Sequence, residues 1–203
     1  ILASVGGSDR AIAQFRRLGI PLVFIDNVPQ IEGQFDAVTT NNHKAALQLT
    51  QQMIARGYRD IGMISGPLDQ TSGRQRYEGF LEAMCEKGLP VNPDWVKVGD
   101  FKMDSGAACM ADILAVRRQP RALVIANNYM AYGAIRALRA AGRKIPDDLA
   151  VASFDTDDIS GLVSPAIVSM NQDADEIGRK AAETLIERMR DSSGEGCVQT
   201  VLD

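Results

Sequence analysis

The run Ala122-Leu123-Val124-Ile125-Ala126, followed at once by Asn127-Asn128 and then by Ala131, Ala134, Ile135 and Leu138 up to Gly142, decides the fold class. An uninterrupted apolar run bounded by polar residues reads as a strand buried on both faces. The later apolar residues recur at three- and four-residue intervals and so line one face of a helix. Gly142 ends it, because glycine tolerates the left-handed turn at a helix terminus. Strand, polar turn, helix, glycine is half of a right-handed βαβ unit.

The same unit recurs in both directions from this stretch. Pro21–Ile25, Val38–Thr40, Ile61–Ser65, Val96–Val98, Leu149–Phe154 and Ile167–Met170 read as strands. A helix from His43 to Arg56 carries Ala46, Leu49 and Met53, and Gly57 stops it. Ser72-Gly73-Arg74-Gln75 reads as a capping box, opening a helix that stacks Tyr77, Phe80, Leu81 and Met84. Met110, Ile113 and Leu114 line another, and Ile177, Ala181 and Leu185 a last one, with Asp173 and Glu176 as its N-cap and N3 residues. Alternation of this kind gives an α/β fold built on parallel sheet; periodicity leaves open whether the strands form one sheet or two.

Composition bounds the function. The chain has 203 residues, a formal charge of −4 and 45% hydrophobic residues, a profile of packed α/β proteins. An acidic chain without a basic run is poorly suited to gripping phosphate backbones by itself. No stretch approaches the roughly 20 apolar residues of a membrane helix. Cys85, Cys109 and Cys197 are odd in number and widely spaced, which leaves no disulfide framework and no CxxC site; a cytoplasmic setting is the simplest expectation. With His43 as the single histidine, and no HExxH, GxSxG, GxxxxGK[ST] or GxGxxG motif, no catalytic residue, metal site or cofactor is expected. The protein reads as a non-enzyme.

In open α/β sheets ligands bind beyond the carboxyl ends of the strands. The residues there are Asp26 and Asn27, Asn41 and Asn42, Ser65 and Gly66, Asp100 and Phe101, Asn127 and Asn128, and Asp155. Amides and carboxylates exchange paired hydrogen bonds with neighbouring hydroxyls, and an aromatic such as Phe101 can cover an apolar ring face. The set suits a carbohydrate or a nucleoside. The same residue types are also helix caps. For Asn42, Asn128 and Asp173 the cap reading carries more weight; for Asp155, followed by Thr156-Asp157-Asp158, the ligand reading does.

Several strings then occur in order: Gly66-Pro67-Leu68, Arg74-Gln75-Arg76-Tyr77-Glu78-Gly79-Phe80, Gly99-Asp100-Phe101, Ala126-Asn127-Asn128-Tyr129-Met130-Ala131, Ile145-Pro146-Asp147-Asp148-Leu149, Phe154-Asp155 and Ser164-Pro165. Together they resemble the effector-binding core of LacI-family bacterial transcription regulators, closest to the ribose- and purine-repressor branch, over essentially the whole chain. The resemblance implies a type I periplasmic-binding-protein-like fold of two parallel-sheet α/β subdomains with crossovers. It divides the chain into residues 1–57 plus 168–190, an incomplete N-terminal subdomain, and residues 58–167 plus 191–203. It implies a homodimer that binds a small effector in the cleft between subdomains, a pentose or other sugar before a purine. Operator DNA would be held only by an N-terminal helix-turn-helix headpiece. A periplasmic sugar-binding protein of a transporter is the alternative on the same fold.

By the same resemblance Arg76 hydrogen-bonds effector oxygens, Asn127 faces the effector, Asp155 takes paired hydroxyls and Phe101 packs over the ligand. Asn41 stands where the family usually has Asp, as does Asn128. Asp155→Ala is expected to weaken effector binding more than Asp157→Ala. The segment from Thr156 to Pro165 and the helix after Asn128 are candidate dimer surfaces. Ile1-Leu2-Ala3-Ser4 reads as the tail of a buried strand and 197–203 as a strand stopped midway, so a longer protein, truncated here at its N-terminus, is expected.

Overall fold

A computed structural model describes residues 1–3, 9–29, 35–156, 167–190 and 196–203. The chain forms two compact units, residues 1–41, 69–72 and 173–203, and residues 42–68 and 73–172. Each carries its own parallel sheet.

The first unit contains α1 (Asp9–Arg17), β1 (Val23–Ile25), β2 (Asp36–Thr40), α6 (Ala174–Arg190) and β8 (Gln199–Leu202). Its sheet runs β1-β2-β8, and Leu2 bridges to Phe24 in parallel. Successive side chains of a strand face opposite ways, so Val23 and Val38 pack with Ile177 and Ala181 of α6. Phe24 and Ala37 pack with Ile12 of α1 and Phe35 on the other side. Asp36, at the start of β2, is buried and held by the Arg188 guanidinium at 2.8 and 3.0 Å and by the Val198 N–H at 2.7 Å. A buried carboxylate is tolerable only with such charge-assisted partners.

The second unit contains α2 (Asn42–Ala55), β3 (Ile61–Ser65), α3 (Thr71–Glu86, whose first residues belong to the first unit), β4 (Val96–Val98), α4 (Met103–Ala115), β5 (Ala122–Ile125), α5 (Asn128–Ala140), β6 (Ala150–Phe154) and β7 (Val168–Met170). The sheet order is β4-β3-β5-β6-β7, all parallel. Counted in chain order that is the doubly wound order 2-1-3-4-5, whose direction reverses between β3 and β5. Right-handed crossovers place α3 on one face and α4 and α5 on the other. Helices α4 and α5 approach backbone to backbone: a Cβ on Gly133 would overlap the carbonyl oxygen of Met103.

Three expectations change. Strand β8 pairs with β2, Val38 opposite Thr200, so the chain end joins the first sheet and not, as the division 58–167 plus 191–203 had it, the second. Helix α2 packs on β5, β6 and β7 and β7 pairs with β6, so residues 42–57 and 168–172 lie in the second unit rather than the first. And Ser72 is no cap: its N–H and hydroxyl both donate to the Asn27 side-chain oxygen at 2.9 Å, so the start of α3 is capped by a distant strand end. Asp157 and the candidate dimer segment after Thr156 lie outside the described residues.

Candidate functional site

Four of the expected site residues gather at the carboxyl ends of the second sheet, around its switch point. Phe101 follows β4, Asn127 follows β5, Asp155 follows β6, and Arg76 reaches the same ends from α3. Asn41 follows β2 and belongs to the first unit, where its N–H donates to the Leu202 carbonyl at 2.8 Å.

Local chemistry fixes each of the four. Phe101 has φ of 66°, a left-handed conformation that a bulky residue adopts only when its surroundings enforce it. The enforcement is a turn in which the Lys102 N–H donates to the Asp100 carboxylate at 2.9 Å and the Asp100 N–H to the Ser105 hydroxyl at 3.1 Å. The Phe101 ring lies against the backbone of Gly66 at the end of β3, where any Cβ would run into it. Asn127 joins the two loops: its amide donates to the Phe101 carbonyl at 2.9 Å, while its oxygen accepts from the Met130 N–H at 3.0 Å and caps α5. The cap of this helix is therefore Asn127, not Asn128.

The Ser105 hydroxyl first, and the Lys102 N–H second, hold the Asp100 carboxyl below its ordinary range. A lowered carboxyl stabilises the turn fully above that ordinary range and loses the contribution as pH falls through the lowered value. The Phe101 ring resonances in NMR should accordingly stay constant through the usual aspartate range and shift only below it; a shift centred in the usual range would contradict this account of the turn.

Asp155 also has a positive φ, 54°. Its N–H continues the ladder to the Met170 carbonyl at 3.0 Å, and its carbonyl accepts from the Asn128 side-chain amide at 3.1 Å. An aspartate at position 128 would have no donor for that carbonyl. Both Asp155 carboxylate oxygens accept from Gln172, one from the backbone N–H and one from the side chain, each at 2.9 Å.

Arg76 is buried more deeply than an arginine on an amphipathic helix usually is. It is 3% exposed. Its Nε donates to the Asn42 side-chain oxygen at 2.8 Å, Nη1 donates to the Ala126 carbonyl, and the guanidinium lies 4.1 Å from the centre of the Phe154 ring. It ties the ends of β5 and β6 to the start of α2. A cation over an aromatic face in a desolvated setting is a strong contact of its kind.

Gln172 and the role of Asn42 were not among the expected site residues. Gln172 stands at the carboxyl end of β7, so the strand-end rule that picked out Asp155 reaches it when carried one strand further. Nothing in the sequence marks Asn42 as a partner of Arg76. Among the described residues no group of histidine, cysteine, aspartate or glutamate side chains is placed to hold a metal ion. The arrangement brings together carboxylate and amide oxygens, amide donors and an aromatic ring.

Comparison with known proteins shows the family and the fold. The profile of the periplasmic binding protein-like domain matches residues 50–202. The HTH-type transcriptional repressor PurR of Pasteurella multocida is 36% identical over 179 residues, which are 88% of this chain and 53% of the relative. Its counterpart in Actinobacillus pleuropneumoniae is 34% identical over 176 residues, 87% of this chain and 52% of the relative. The chain thus spans about half the length of the curated relatives it matches. Among solved structures, the transcriptional regulator CelR in complex with cellobiose superposes with a TM-score of 0.91 at 31% identity, covering 99% of this chain and 62% of that one. A regulatory protein of the LacI family from Chloroflexus aggregans gives 0.83 at 27% identity, with 98% of this chain and 72% of that one covered.

Proposed function

The chain belongs to the periplasmic binding protein-like domain family, as the effector-binding core of a LacI-type regulator, and from that premise we propose that it senses a small sugar at the strand ends of its second unit. The observation that carries the proposal is the rim itself. Asp155 presents a carboxylate fixed in direction, Asn127 and Asn128 each spend one amide hydrogen on a loop carbonyl and keep the second, and the Phe101 ring stands against Gly66 at the end of β3. A carboxylate has about four lone-pair sites, so one bound to Gln172 retains acceptors for a pair of neighbouring hydroxyls. A ring face covers the apolar side of a sugar while its hydroxyls take the polar groups.

Arg76 contributes by fixing the ends of β5 and β6 and by setting a positive charge beneath them. Asn41 is the candidate amide of the first unit. A pentose is the leading effector, another sugar the next and a purine the third; the cellobiose complex of the similar regulator supports the sugar class.

In the whole protein, effector binding would shift the equilibrium between two arrangements by its differential affinity for them, and so control operator binding by a headpiece outside this chain. The regulator is favoured over a transport receptor because the relatives are transcriptional repressors, and a cytoplasmic location follows from that role. A homodimer is part of the reading: α5 exposes Tyr129, with its ring 6.1 Å from that of Tyr132, where aromatic contact area would serve a partner copy.

Titration calorimetry with D-ribose and with cellobiose tests the site. Asp155→Ala should weaken the binding of whichever sugar binds by about 1.5–3 kcal/mol, the worth of a hydrogen bond to a charged group. Asp157→Ala should leave it nearly unchanged. Equal affinities for the two variants would remove Asp155 from the site.

A further inference from the structure

We propose that Gln172 is the positioning residue for the Asp155 carboxylate, a role that rests on reading Asp155 as an effector ligand. Three observations carry it. Gln172 directs two donors at the Asp155 carboxylate, its backbone N–H to Oδ1 and its side-chain amide to Oδ2, each at 2.9 Å. Two bonds to the two oxygens fix both the rotation and the tilt of the carboxylate, which a single bond would not. The Asp155 backbone is fixed independently, by the Met170 carbonyl and the Asn128 amide, in the left-handed conformation that aims the side chain. Finally, Gln172 is itself held in register: it lies two residues beyond β7, whose pairing with β6, Phe154 opposite Met170, fixes the chain there.

The consequence is pre-organisation. A carboxylate already held in its binding direction loses little freedom when a hydroxyl pair arrives. The amide is the right group for the task, because it donates to a carboxylate without bringing a charge. A lysine there would neutralise the acceptor, and a glutamate would repel it.

An exchange of groups separates positioning from mere packing. Gln172→Glu sets two carboxylates face to face and should speed hydrogen exchange of the residue 172 backbone amide about tenfold, the loss of roughly one hydrogen bond. Asp155→Asn combined with Gln172→Glu keeps an acceptor for that backbone N–H and rebuilds the side-chain bond with donor and acceptor exchanged. The new amide at position 155 then donates to the new carboxylate at position 172, and the exchange rate should return to near that of the parent chain. Exchange in Gln172→Glu equal to the parent, or no recovery in the double variant, would overturn the proposal, and neither result needs an effector. With cellobiose or D-ribose as probe, Gln172→Ala should weaken binding about tenfold although Asp155 is intact; unchanged affinity would also overturn it. If the exchange results hold while Asp155→Asn binds the sugar as the parent does, the clamp stands and the effector reading fails.

Discussion

Replacing Arg76 by alanine should lower the unfolding free energy of the second unit by about 3–5 kcal/mol, read from the midpoint of a urea transition at unchanged slope. The loss has two sources. The Asn42 oxygen and the Ala126 carbonyl keep their burial and each lose the bond from the guanidinium, at about 1–3 kcal/mol each. The Phe154 ring loses the group that covers its face, and a cavity takes its place. An opposing effect is relief from the desolvation of a buried cation, which can make an apolar replacement nearly neutral. Arg76→Met, which fills the volume and removes the charge, should therefore cost clearly less than Arg76→Ala. A domain is stable by only about 5–15 kcal/mol, so the alanine variant approaches the limit of folding. A loss below about 1 kcal/mol would mean that the guanidinium does not bind the strand ends together.

Gly133→Ala is the second large effect, and its sign runs against helix propensity. In an open helix interior the change gains about 1 kcal/mol. At Gly133 the new methyl meets the Met103 carbonyl oxygen, a backbone atom of α4 that moves only with its helix. Overpacking of this kind costs about 1–3 kcal/mol and sometimes more, which should lower the melting temperature by roughly 2–12 °C for a chain of this size, at about 2–4 °C per kcal/mol. Gly178 in α6 is the internal control, since a Cβ there meets nothing within 4 Å. Gly178→Ala should raise the melting temperature by a few degrees. Shifts of the same sign for both would contradict the close approach of α4 and α5.

What is legible in the sequence follows from which forces are local. Strands such as Ile61–Ser65 and Ala122–Ile125 stand out because burial on both faces leaves an unbroken apolar run. That Asp155 and Phe101 stand beyond strand ends follows from the apolar runs before them, and the rule that ligands bind there makes them candidates. The partner of a parallel strand carries no local mark: β8 lies beside β2 although most of the chain separates them in sequence, so the expected division puts the tail in the wrong sheet. Asn127 and Asn128 show the limit at a single residue. Either can cap α5, and the choice between them depends on the Phe101 and Asp155 carbonyls, which arrive from other loops. The burial of Arg76 is equally out of reach, because an arginine on an amphipathic helix normally reaches solvent. Here Ala126, Asn42 and Phe154 converge on it from distant parts of the chain.

The most direct test of sugar sensing at the strand ends of the second unit is an amide NMR titration of the chain with cellobiose, D-ribose and hypoxanthine in parallel. A sugar should shift the backbone signals of Phe101 and Asp155 and the side-chain amides of Asn127 and Asn128, and Asp155→Ala should abolish or strongly weaken those shifts. Shifts produced only by the purine, shifts confined to other surfaces, or no response to either sugar would contradict it.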